Sequence, residues 1–139
     1  MGFPSCASFF VDWAKSAAGV RGVLLVGSWA RGAARADSDI DFVILAEDAA
    51  SFRDESWLTE LGVEVLGFRD QDYGAVWSRH LRVLGCPEIE ASFAALSWAN
   101  TAPIDPGTRD VVQAGCEIVY DPDGLLTKLA SRIQDFGER

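Results

Sequence analysis

Two strand-length apolar runs, residues 23–26 and 42–45, bracket the stretch GSWARGAARADSDID, and no other feature limits the fold of this chain as strongly. The runs have the length and composition of strands, whereas the segment between them is too small and too polar to form core. Gly27 and Ser28 make a turn directly behind the first run, and Trp29, Ala30 and Arg31 allow a short helix. Ser38, Asp39 and Asp41 then lead into the second run. The predicted order is strand, phosphate-sized turn, short helix, loop, strand.

Side chains two apart on a strand share a face at a spacing of about 6.5 Å, so Asp39 and Asp41 are expected to project together. Two carboxylates about 4 Å apart repel by roughly 4 kcal/mol at an effective dielectric of about 20, and a divalent cation between them removes that cost. Oxygen-only ligands of this kind suit Mg²⁺, which takes a few carboxylates together with water and substrate phosphates. On the turn, Gly27 allows close backbone approach, and Ser28 offers a hydroxyl and an N–H at a helix start. Helix N-termini favour phosphate groups. Arg31 and Arg35 stand within reach of a polyphosphate.

Gly27, Ser28, Arg31, Gly32, Ser38, Asp39, Ile40 and Asp41 together resemble the G-S-x-x-x-G and D-x-D signature of the nucleotidyltransferase superfamily shared with DNA polymerase beta. The run GSWARGAARADSDIDF is most similar to its minimal nucleotidyltransferase branch, which includes nucleotidyltransferase-type antitoxins and relatives of aminoglycoside nucleotidyltransferases. The resemblance implies an α/β nucleotidyltransferase fold, a mixed β-sheet flanked by helices. It also implies Mg²⁺-dependent transfer of a nucleoside monophosphate, AMP from ATP, to a hydroxyl of a small molecule or protein, with release of pyrophosphate. Asp39 and Asp41 would hold the metal, while Gly27, Ser28, Arg31 and Ser38 would bind the phosphates. The superfamily has a third acid on a later strand, usually Asp. Here Glu90, between Ile89 and Ala91, fits that position better than Glu88, which follows Pro87. Glu90 would be a catalytic residue and third metal ligand, and would draw the proton from the acceptor. Two further readings belong to the same resemblance: an antitoxin-type module that neutralises a helical toxin, and a degenerate domain that binds nucleotide without turnover. The acceptor would be held by a groove on this domain, by a second copy or by another protein.

The chain of 139 residues is expected to form one domain, residues 1–139. Twelve basic against twenty-one acidic residues give a net charge of −9, which opposes a nucleic-acid backbone as partner. No apolar stretch approaches the length of about 20 residues that a membrane helix needs, and the start MGFPSCASFF lacks a secretory pattern, so a cytoplasmic protein is expected. Cys6, Cys86 and Cys116 lack paired zinc-site spacing and are expected as buried or free thiols. His80, the only histidine, has no evident Ser partner, which speaks against a Ser–His–Asp hydrolase. Neither a dinucleotide-binding nor a P-loop glycine pattern is present.

Along the rest of the chain, apolar spacing predicts a helix over 5–18 with Ser5 as N-cap and Gly19 as its stop. A short helix is expected within 47–61 before Gly62, a strand over 63–68, and a polar loop over 70–74. Residues 80–84 and 88–93 read as two strands joined by Gly85, Cys86 and Pro87. A helix starting at Asp105 and Pro106 and ending at Gly115, a strand over 116–120, a turn over 121–124, and a closing amphipathic helix marked by Leu125, Leu126, Leu129, Ile133 and Phe136 complete the expectation.

Overall fold

A computed structural model describes residues 2–137, with side chains as far as residue 134. Six strands form one sheet in the order β3-β4-β5-β2-β1-β6. They are β1 (Val20–Val26), β2 (Ile40–Ala46), β3 (Val65–Asp72), β4 (Val76–Val83), β5 (Ile89–Ala95) and β6 (Cys116–Tyr120). Only the central pair, β2 and β5, runs parallel, and every other neighbour is antiparallel. Four α-helices accompany the sheet: α1 (Ser8–Ser16), α2 (Gly27–Ala30), α3 (Pro106–Ala114) and α4 (Leu125–Gly137). The sheet is thus mixed and flanked by helices, as expected.

Strand β2, IDFVILA, is apolar at nearly every position because both of its faces are covered. On one face Phe42 and Ile44 meet Phe10, Trp13 and Ala14 of α1, with Trp57 and Phe93 in the same cluster. On the other, Val43 and Leu45 join Leu24, Ala94, Val112 of α3, and Leu126, Leu129 and Ile133 of α4. The aromatic stripe of the first helix is therefore core. The Phe136 side chain lies outside the described residues. Asp105 caps α3 by accepting from the Thr108 N–H at 3.0 Å, with Pro106 at the first helical position. Asp121 does the same for α4, accepting from Leu126 N at 3.0 Å and Thr127 N at 2.8 Å.

Four local expectations need correction. The first helix is a 3-10 turn over Ser5–Ala7 followed by α1, and Ser5 makes no side-chain cap. In place of one helix before Gly62 there are two 3-10 turns, Ala49–Arg53 and Ser56–Leu61. The carboxylates of Asp48 and Asp54 accept from Ser51 N and Ser56 N, and these local bonds compete with a continuous helix. Residues 70–72, expected as loop, continue β3, and β4 begins at Val76, ahead of the expected start.

Arg79 is the reason for that longer hairpin. Its side chain is fully buried, with Nε 2.7 Å from Oδ1 of Asp70 and Nη2 2.9 Å from Oδ2. It also donates to the carbonyls of Phe52, Arg53 and Asp54, and lies over the rings of Phe68, Trp77 and Trp57. One guanidinium thereby ties the 3-10 segment to the β3–β4 hairpin, and its hydrogen bonds hold the Asp70 carboxyl below the usual range.

The cysteine expectation is also corrected. Cys6 and Cys86 form a disulfide, and Cys116 is free. The N-terminal turn and the β4–β5 connection meet in space across 80 residues of sequence, a proximity that spacing does not encode.

Two stability measurements follow. Arg79→Met takes the donor from Asp70 and from the carbonyls of Arg53 and Asp54, while Phe52 keeps the Trp57 indole, and urea unfolding is expected to show a loss of about 3 kcal/mol. Cys86→Ala opens a long loop and is expected to cost about 4 kcal/mol on the chain-entropy estimate, with the wild type falling to a similar midpoint under reductant.

Candidate active site

The register of β2 with its two neighbours assembles the site. Val26, at the end of β1, lies opposite Asp41, so the chain leaves β1 through Gly27 directly beside that carboxylate. Gly27 has φ +74°, and a Cβ there would collide with Oδ2 of Asp41. Only glycine combines that backbone conformation with that approach. Gly27 then opens α2, a single turn whose first N–H groups have no partners within the helix.

On the other side of β2, Asp41 is the parallel register partner of Glu90. Asp41 is pushed up to about 7. Burial is the largest cause, followed by the neighbouring Glu90 carboxyl and the charge of Asp39; Arg31 acts in the opposite sense. Asp39 is exposed and stands just ahead of β2, whose first residue is Ile40. Among the described residues no three His, Cys, Asp or Glu side chains are gathered to hold a metal by themselves. A half-buried pair of neighbouring carboxylates nevertheless fits a divalent cation, whose remaining ligands a triphosphate and water would supply.

The other sequence candidates lie close by in different settings. The stem of Arg31 packs where a Cβ on Gly115 would fall. Ser38 closes the preceding loop: its Oγ accepts from Arg35 N at 2.8 Å, and its carbonyl accepts from the Trp29 indole at 2.9 Å. Glu88 lies outside β5 and is held 3.6 Å from Arg69, so it is Glu90 that stands beside Asp41.

Sequence reasoning missed three side chains. Trp29, read only as part of a short helix, clasps α2 to the loop before Asp39. Tyr73 faces the site from the β3–β4 turn: its phenol pKa is raised by desolvation and then by the charge of Glu90. It also lines a hollow of about 370 Å³ with Val76, Ala94, Trp98, Asp105 and Thr108. His80 is the register partner of Glu90 on β4. Nothing in the local sequence marks these positions, because each depends on strand register.

Comparison with known proteins accords with this geometry. The profile of the family described as nucleotidyltransferase domain matches residues 10–90. The chain belongs to the nucleotidyltransferase domain family. That match includes the G-S turn, both aspartates and Glu90 at its end. The nucleotidyltransferase domain is also similar in fold to an aminoglycoside 6-adenyltransferase from Bacillus subtilis, with a TM-score of 0.51 and 15% identity. That likeness covers 68% of this chain and 35% of the other, so this chain spans about a third of its structural neighbour. No curated protein matches it.

The raised Asp41 value gives a signed pH dependence. Its folded value of about 7 lies above the ordinary 3.8, so the native state binds the proton more tightly. The stabilisation is therefore full below about pH 4 and is lost as pH rises through about 7. Solvent screening at this half-buried group leaves about 2 kcal/mol. Asp41→Asn is expected to be more stable than the wild type by that amount at pH 8 and to match it near pH 4, by urea unfolding without divalent cations.

Proposed function

We propose that this nucleotidyltransferase domain transfers a nucleoside monophosphate, AMP from ATP, to a hydroxyl and releases pyrophosphate. The observation that carries the proposal is the in-register placement of Asp41 beside Glu90, with Gly27 packed against Asp41. Asp39, Asp41 and Glu90 would hold Mg²⁺, which neutralises triphosphate charge and polarises the phosphorus under attack. The N–H groups of the Gly27 and Ser28 turn, at the start of α2, bind phosphate oxygens. Arg31 adds positive charge on the same side, and the Ser38 hydroxyl retains a proton to donate. Glu90 accepts the proton of the acceptor hydroxyl as its oxygen bonds to the α-phosphorus and the bond to pyrophosphate breaks. The hollow beside Tyr73 and Trp98, on the same sheet face as Glu90, would hold an acceptor on the side of that base.

Glu in place of the usual Asp is compatible with this role because β5 brings its carboxylate to Asp41. A cytoplasmic setting would oppose the Cys6–Cys86 bond, so a cytoplasmic enzyme would keep it only through the proximity that the fold imposes. Among the described residues no helix is long and apolar enough to cross a membrane.

Calorimetric titration with a non-hydrolysable ATP analogue, with and without Mg²⁺, tests the reading. The wild type is expected to bind in a Mg²⁺-dependent manner, and an Asp39→Ala, Asp41→Ala variant is expected to lose that binding. Absence of binding by the wild type overturns the free-standing enzyme and directs attention to a partner protein, such as a helical toxin.

A further inference from the structure

His80 is the side chain near the site whose environment most needs an account. It is the only histidine of the chain, it is 7% exposed, and neither of its ring nitrogens completes a hydrogen bond. A buried polar group without a partner forfeits its hydration, and native folds keep few of them. Two carboxylates face the ring. Nε2 lies 3.2 Å from Oε2 of Glu90, and Nδ1 lies 3.6 Å from Oε2 of Glu88.

Strand register explains how the ring came there. Asp41, Glu90, His80 and Arg69 are successive register partners across β2, β5, β4 and β3. Register partners share a face of the sheet, so two acids, an imidazole and a guanidinium form one row. At the far end, Nη2 of Arg69 lies 3.6 Å from the same Glu88 oxygen that faces Nδ1. The opposite face of β4 is closed by buried Arg79 and Leu81. The ring is therefore confined between two strands, with Glu90 as its closest acceptor.

We propose that His80 is the positioning residue for Glu90, donating from Nε2–H to Oε2 and holding that carboxylate towards Asp41. Its consequence for catalysis rests on the nucleotidyltransferase reading above. A glutamate has one rotatable bond more than an aspartate, and a carboxylate that serves as ligand and base needs a fixed orientation. A buried donor beside it supplies that restraint. The 3.2 Å separation needs only a small rotation of the carboxylate to become a hydrogen bond.

Because the chain has a single histidine, ¹⁵N NMR of the imidazole gives one pair of ring signals to follow. Nε2 is expected to carry the proton, and Glu90→Gln is expected to displace its resonance in the protein without nucleotide. A resonance that stays in place in Glu90→Gln overturns the contact, whatever the fate of the functional reading. The second measurement is Mg²⁺-dependent affinity for the ATP analogue. His80→Leu is expected to weaken it about 10–100-fold, whereas His80→Gln, whose amide keeps a donor, stays within about threefold of wild type. Equal affinities in wild type and His80→Leu overturn the positioning role. A wild type that binds no nucleotide fails the functional reading instead, and the NMR displacement still decides whether His80 holds Glu90. Should His80→Leu not fold, the Glu90→Gln resonance and the retained affinity of His80→Gln carry the same decision.

Discussion

The parallel pairing of β2 with β5 is the interaction on which the site depends. Backbone hydrogen bonds between these two strands fix Asp41 beside Glu90, and the antiparallel pairing of β2 with β1 fixes Gly27 beside Asp41. Slipping either ladder by one residue would turn every side chain of that strand to the other face, and the hydrophobic layers on both sides forbid it. Phe42 and Ile44 belong to the α1 side, and Val43 and Leu45 belong to the α3 and α4 side. The core thus supplies the positional accuracy that the carboxylates need. The burial of Asp41 and then the charge of Glu90 beside it, seen together in the raised Asp41 value, are the cost of that accuracy in the absence of a cation.

The rest of the fold can be understood as support for this central ladder. Beyond β5, β4 is largely buried, but most side chains of the edge strand β3 are exposed. Arg79 compensates by joining the hairpin to the 3-10 segment through Asp70 and three carbonyls. That attachment matters for the site because the hairpin carries Tyr73 and His80 to Glu90. On the far side of β2, the Trp29 indole bonds the carbonyl of Ser38 and holds the loop that delivers Asp39.

Much of this was legible in the amino-acid sequence, and the boundary has a physical reason. The G-S turn, the D-x-D pair and the apolar runs on either side are local, so the strand–turn–strand unit and the family could be read from residues 23–45. Caps such as Asp105 are local too. The strand position of Glu90 is legible because it alternates with Ile89 and Ala91, and β5 sets it rather than Glu88 beside Asp41. What escaped depends on register or on contacts between distant segments. Asp70 has the local pattern of a loop because its partner, Arg79, lies on the next strand, and the Cys6–Cys86 bond joins segments that only the fold brings together. His80 has no serine near it in sequence, and its neighbour Glu90 lies on the adjoining strand.

The Cys6–Cys86 bond also changes the molecule's connectivity. It turns residues 6–86 into a covalent ring that contains α1, β1, α2, β2, β3 and β4, with β5 emerging directly after it. A single backbone cut in the exposed loop between Arg31 and Asp39 would therefore separate nothing while the bond remained oxidised. Both halves would stay attached, and Gly27 and Asp41 would remain on one molecule. Pulling on the two ends of the chain would likewise bypass the ring, so that its strands would not be drawn out in line with the force.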